Sequence, residues 1–100
     1  MTAYNEFYPG NPVLLTGKCY DQNGTLVAAT CVIKVKDPAT GTLTTVSNST
    51  AVTGIYTGVY TLATDAKYDW WYYSVQFTGA YTSFSEGRFK VIQSQILGNP

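Results

Sequence analysis

The chain contains no histidine. Without an imidazole, the usual general base for a serine or cysteine nucleophile is missing, which removes the commonest hydrolytic route. Cys19 and Cys31 are the whole stock of thiols, and with no histidine to join them they leave a zinc-type shell half empty. Charge is also scarce, at 12% of residues, and six basic side chains cancel six acidic ones. Lys18, Lys34, Lys36, Lys67, Arg88 and Lys90 never form a run. That lacks the electrostatic footprint of a nucleic-acid or anionic-membrane binder, so neither is expected as a partner. No window approaches the roughly 18 apolar residues of a membrane-spanning helix. Met1–Glu6 has no basic segment leading into an apolar one, so the sequence reads as leaderless and made in a cytoplasm. No helix-length period of 3.6 occurs, and Gly54 and Gly58 sit inside a strand pattern rather than in a phosphate-cradling loop.

What is present is β-forming. At 100 residues the chain has the size of one domain, and its nine tyrosines, with many Thr, Ser and Asn, suit neutral surfaces that abut one another in an assembly. Residues 1–12 hold the turn signals Pro9-Gly10 and Asn11-Pro12, and 1–11 read as an arm whose Tyr4, Phe7 and Tyr8 lie against the domain or a neighbour. From Val13 the odd positions Val13, Leu15, Gly17 and Cys19 form one apolar face of a strand. Asp21-Gln22-Asn23-Gly24 is a turn, and 26–29 is a short irregular or edge segment. Cys31, Ile33 and Val35 alternate with Val32, Lys34 and Lys36 up to the Asp37–Gly41 loop. Leu43–Val46 is a partly exposed strand, and 47–50 reads as loop.

In 54–62 both faces are apolar, Tyr56, Tyr60 and Leu62 on one and Ile55 and Val59 on the other, so the buried side stays open. Ala63–Lys67 could form one helical turn. Phe84–Val91 shows the cleanest alternation, with Gly87, Phe89 and Val91 inward and Glu86, Arg88 and Lys90 outward. Short strands every 8–12 residues or so, about seven in all, predict an all-β, two-sheet antiparallel β-sandwich over residues 12–92, with a small barrel as the other closure. Residues 93–100 form a polar tail in which Ile96 and Leu97 could hook another subunit.

The stretch from Asp69 to Gly79 carries bulk on both faces. If Trp71, Tyr73, Val75 and Phe77 point into the core, Trp70 and Tyr72 point out of it. Exposed aromatics of that size call for a partner, and a subunit interface is the expectation over a ligand platform or cover by the amino-terminal arm. Cys19 and Cys31 flank a reversal that could set them opposite each other for a disulfide; small apolar fillers of a reduced core is the plainer reading. Asp21, Asp37, Asp65 and Asp69 lie in or beside turns, where Asp caps its own backbone. Asp65 and Asp69, sharing one loop, are at most a weak Ca²⁺ pair. No metal, cofactor or catalytic residue is expected.

The series formed by Asp21-Gln22-Asn23-Gly24, Val32-Ile33-Lys34-Val35-Lys36-Asp37-Pro38, Gly54-Ile55-Tyr56, Trp71-Tyr72-Tyr73-Ser74-Val75, Thr78-Gly79 and Glu86-Gly87-Arg88-Phe89-Lys90-Val91 resembles the small immunoglobulin-like domains of bacteriophage virion proteins and of some bacterial surface modules. The likeness covers residues 12–92 and rests on core and turn positions. It implies an immunoglobulin-like fold and a non-catalytic virion protein, made in the host cytoplasm, that decorates or joins a shell by binding capsid or tail subunits and its own copies. The alternative is a carbohydrate-binding or adhesion module of a secreted or cell-surface protein, with Trp70, Tyr72, Tyr73 and Tyr81 stacking on sugar rings beside Gln76 or Asp69.

Overall fold

The computed structural model describes residues 5–79, 82–93 and 96; Tyr4, Tyr81 and Leu97 lie outside them. Its strands are β1 (Glu6–Phe7), β2 (Pro12–Lys18), β3 (Thr30–Lys36), β4 (Leu43–Val46), β5 (Asn48–Val52), β6 (Ile55–Thr61), β7 (Trp70–Thr78) and β8 (Ser83–Val91). They form a five-stranded sheet in the order β1-β8-β7-β3-β4 and a three-stranded sheet in the order β2-β6-β5. The all-β, two-sheet architecture is as expected.

Each turn has a local cause. The Asp21 carboxylate accepts N–H bonds from Asn23 at 2.8 Å and Thr25 at 2.9 Å, and Gly24 takes the left-handed φ of 81° that closes the reversal. Asp37 repeats the device by accepting from the N–H of Ala39 at 2.8 Å. Between β5 and β6, Gly54 combines a φ of 83° with a backbone approach so close that a Cβ there would lie 2.9 Å from the Val27 nitrogen.

The core is the space between the sheets. Val13 and Leu15 of β2, with Cys19 just beyond it, face Ile33 and Val35 of β3 and Trp71, Val75 and Phe77 of β7. Large meets small across the layer: Gly17 of β2 leaves room for Val75, whose Cγ1 would stand only 2.5 Å from a Cβ at that position. The Phe89 ring is the hub of an aromatic cluster, with Trp71 at 6.1 Å, Tyr73 at 6.4 Å and Phe7 at 5.6 Å between centroids. Polar groups drawn into this layer are satisfied. Tyr56 donates its hydroxyl proton to the Ala29 carbonyl at 2.6 Å and accepts from the Ala29 N–H at 2.9 Å, and the Trp71 indole donates to the Lys67 carbonyl at 3.1 Å.

Several sequence readings need correction. The segment around residues 1–11 is not only an arm: Glu6–Phe7 forms β1, which runs parallel to the end of β8, so the sandwich is not wholly antiparallel. Phe7 is half-buried and packs on Phe89 within its own chain, so the arm lies against the domain at this residue. Of the loop expected at 47–50, residues 48–50 belong to β5, an edge strand with no buried residue, paired to β6 across an irregularity between Ser49 and Val52. The helical turn expected at 63–67 is a hydrogen-bonded turn closed by the Ala66 N–H on the Ala63 carbonyl at 3.1 Å. In β6 the open question resolves toward Tyr56 and Gly58 inward and Val59 outward.

Candidate functional site: the outer face of the five-stranded sheet

Alternation on β7 fixes which residues leave the core. Trp71, Val75 and Phe77 are buried, and Trp71 is only 2% exposed; Trp70, Tyr72, Ser74 and Gln76 therefore occupy the opposite face. Since β7 lies between β3 and β8, the register brings outward residues of three strands into rows. Tyr72 stands between Lys36 of β3 and Arg88 of β8, and Lys36 is paired in turn with Leu43 of β4. One row further, Ser74 stands between Lys34 and Glu86; beyond that, Gln76 stands between Val32 and Phe84. At the other end Trp70 pairs with Lys90, which neighbours Glu6 of β1.

The rows of Tyr72, Ser74 and Gln76 form an open groove of about 490 Å³, whose lining includes Lys34, Lys36, Glu86, Leu43, Tyr72 and Phe84, and Arg88 lines a shallower depression beside it with Tyr72 and Glu86. Tyr72 is 45% exposed, and Leu43 and Phe84 are about 60% exposed at 60% and 59%. Four of the six basic residues of the protein, Lys34, Lys36, Arg88 and Lys90, share this face, and none pairs with a described carboxylate. The ion pair that is described, Lys67 with Asp69 at 3.6 Å, lies in the loop before β7.

Trp70 leaves the core as expected, yet its ring is not bare. The Arg88 guanidinium carbon lies 4.2 Å from its centroid and the Lys90 ammonium 5.5 Å away, both within reach of the ring's negative face. Trp70 thus holds cations in place, and Tyr72 is the ring left open.

Other expected site residues are dispersed. Tyr8 is half-buried, its N–H bonded to the Asn11 side chain at 2.9 Å, so its backbone belongs to the turn before β2. Ile96 is exposed and belongs to none of the eight strands. Asp69 accepts the Trp70 N–H at 2.7 Å through one oxygen and faces Lys67 through the other, which makes it a capping residue. Asp65 lies exposed in the turn that follows Leu62. Among the described residues no three of His, Cys, Asp and Glu gather as a metal site.

Cys19 and Cys31 are free thiols. The reversal expected to pair them closes earlier: Tyr20 bridges Leu26 antiparallel and the Val27 N–H donates to the Cys19 carbonyl at 3.0 Å, so Cys19 stands against Val27, whereas Cys31 lies in β3 opposite Phe77. Burial pushes the Cys31 thiol above its ordinary pKa, and the nearby Cys19 adds to the shift.

The residues that sequence reasoning passed over are Lys34, Lys36, Leu43, Phe84 and Arg88. Parity along β3 and β8 had already turned the cations outward; what it lacked was that both strands flank β7.

No family model matches the chain, and no curated protein matches it. Among solved structures it is similar to a DUF4785 family protein from Legionella pneumophila, with a TM-score of 0.72 and 13% identity over 87% of this chain. The match covers 26% of that protein, so this chain spans about a quarter of its length. At that identity the likeness concerns the fold alone.

Proposed function

We propose that this chain is a non-catalytic structural protein with an immunoglobulin-like fold that attaches to capsid or tail subunits of a bacteriophage virion, after synthesis in the host cytoplasm, and stabilises or decorates the assembly. The observation that carries attachment is the outer face of the five-stranded sheet, where Tyr72, Leu43 and Phe84 stand exposed together in one groove. Grouped exposure of large apolar side chains marks an interaction surface, whereas the same residues scattered singly would not. The carboxylates fit a structural reading too, because Asp21, Asp37 and Asp69 are spent on turns. A repeated shell would multiply weak contacts at such a face into firm attachment. The virion setting itself comes from the family resemblance.

Proteomics of purified virions whose genome encodes the chain tests the proposal. The protein should be present in many copies, with occupancy lost in Tyr72→Ala; its absence from the particle would refute the role. Ser74 and Gln76 beside the open Tyr72 ring favour carbohydrate binding as the second reading. Quenching of tryptophan fluorescence by neutral oligosaccharides would move the assignment there.

A further inference from the structure

Building on the attachment reading, we infer that the groove over β7 receives an extended, carboxylate-bearing polypeptide segment in which two acidic residues and then an apolar one recur at every second position. The warrant is the chemistry of successive rows. Tyr72 lies between Lys36 and Arg88; the next row carries Lys34; the row after that offers Val32 and Phe84. Outward residues along a strand repeat at roughly 6.5–7 Å, and an extended peptide lying along β7 presents alternate side chains at the same interval. A Glu-x-Glu-x-Leu segment therefore sets its first carboxylate over the Lys36–Arg88 row, its second toward Lys34 and its leucine against Val32 and Phe84.

Charge complementarity selects this occupant over others. Lys34, Lys36 and Arg88 are exposed cations without a described carboxylate partner, while Glu86 lies on the far side of Ser74 from Lys34. A second copy does not supply this pattern, because no two of its acidic residues stand two positions apart in the sequence, and Asp21, Asp37 and Asp69 are bonded within their own loops. A single-stranded nucleic acid needs successive stacking platforms, yet Trp70 is already covered by Arg88 and Lys90, which leaves Tyr72 as the one open ring on the outward face of β7. Leu43, Val32 and Phe84 offer aliphatic and aromatic bulk suited to protein side chains. Trp70, by holding Arg88 at 4.2 Å, keeps one jaw of the carboxylate row aligned before the partner arrives.

Titration of the ¹⁵N-labelled protein with a synthetic Glu-x-Glu-x-Leu repeat peptide tests this by NMR. Shifts should concentrate at Lys34, Lys36, Tyr72 and Arg88, and raising salt should weaken binding. Lys36→Gln with Arg88→Gln should weaken it about tenfold, as expected for loss of close charge pairs. Lys34→Gln with Lys36→Gln, which leaves the Arg88–Trp70 contact alone, should weaken it as well. Equal binding of the Gln-x-Gln-x-Leu counterpart, absence of peptide binding, or tighter binding of oligo(dT) or polygalacturonate would each overturn the inference. Virion occupancy lost in Tyr72→Ala but untouched in either lysine variant would sink the acidic partner and leave attachment standing. Selective peptide binding by a protein absent from virions would support the groove and sink the virion role.

Discussion

The two sheets turn very different faces to water. Outside the five-stranded sheet, aromatic rings alternate with cations, and Trp70, Tyr72, Arg88 and Lys90 touch or adjoin one another. Outside the three-stranded sheet, Leu14 pairs with Val59, Thr16 with Thr57 and Pro12 with Thr61, and Lys18 is the charged residue on β2. Leu14 and Val59 are as bare as Phe84, at 64% and 54% against 59%, so apolar exposure alone does not separate the faces. What separates them is directional chemistry: a phenol ring flanked by fixed cations can select a partner by charge, whereas a neutral aliphatic and threonine surface can only be covered. Both faces arise from the same two-residue alternation and share one core.

That contrast breaks first if an outer face turns out to support the fold. Trp71→Ala, which empties the side chain at the centre of the aromatic cluster, should cost about 3–5 kcal/mol, whereas Tyr72→Ala and Val59→Ala should each stay within about 0.5 kcal/mol. Urea unfolding of the three variants gives the comparison directly. A Tyr72 variant as unstable as the Trp71 variant would make the cationic face part of the scaffold and remove it as a surface held in reserve for a partner.

The inner faces sharpen the contrast at a smaller scale, because each sheet uses a glycine where its neighbour is bulky. A Cβ on Gly17 in the three-stranded sheet would meet Val75 at 2.5 Å, and one on Gly87 in the five-stranded sheet would meet the Tyr73 ring at the same distance. Gly17→Ala and Gly87→Ala should each cost about 1–3 kcal/mol through overpacking. Gly17 presses on the opposite sheet, so its variant tests the joint between layers. Gly87 presses on the adjacent strand, so its variant should also disturb the rows that carry Tyr72 and Arg88. A Gly17 variant of unchanged stability would mean that the sheets separate more easily than their packing implies.

How much of this could be read from the sequence depended on whether a segment has one buried face. In β2 and β8 the inward residues fall at every second position beside Thr16, Lys18, Glu86, Arg88 and Lys90, and parity alone identified Val13, Leu15, Phe89 and Val91 as core. At the Asp21 turn the side chain that accepts two backbone N–H groups and the glycine that reverses the chain stand three positions apart in the sequence. Segment 48–52 gave no such signal, because an edge strand with Asn48 half-buried and the rest exposed has no periodic reason to look like a strand. It is held by pairing with β6 and by the Asn48 amide donating to the Cys31 carbonyl at 3.0 Å. β1 was hidden likewise, since its two residues depend on a parallel partner some 80 positions away in β8. The candidate site was half visible: Trp70 and Tyr72 followed from local parity, but the cations around them required the order β8-β7-β3, which is a long-range property.

The smallest effect concerns the two thiols, one in β3 and the other following β2. Burial, and secondarily the neighbouring Cys19, raise the Cys31 pKa, so at neutral pH its thiolate fraction falls below that of an unfolded cysteine and alkylation should be slow. The linkage has a definite sign. Above roughly pH 8.5 an unfolded Cys31 loses its proton while the folded one retains it. The unfolded state then binds fewer protons, and stability declines as pH rises. The contribution is therefore complete below the ordinary thiol pKa and is lost as pH climbs toward the raised one. Tyrosines and lysines titrate in the same alkaline range, so the measurement is a difference: thermal unfolding of wild type and Cys31→Ala between pH 7 and pH 10, with the wild type falling more steeply. Parallel slopes, together with rapid iodoacetamide labelling of Cys31 in the folded protein at pH 7, would place its thiol in water. The β3 end of the five-stranded sheet would then be open to solvent on its inner side as well as its outer one, which would erase the distinction between core and surface at that edge.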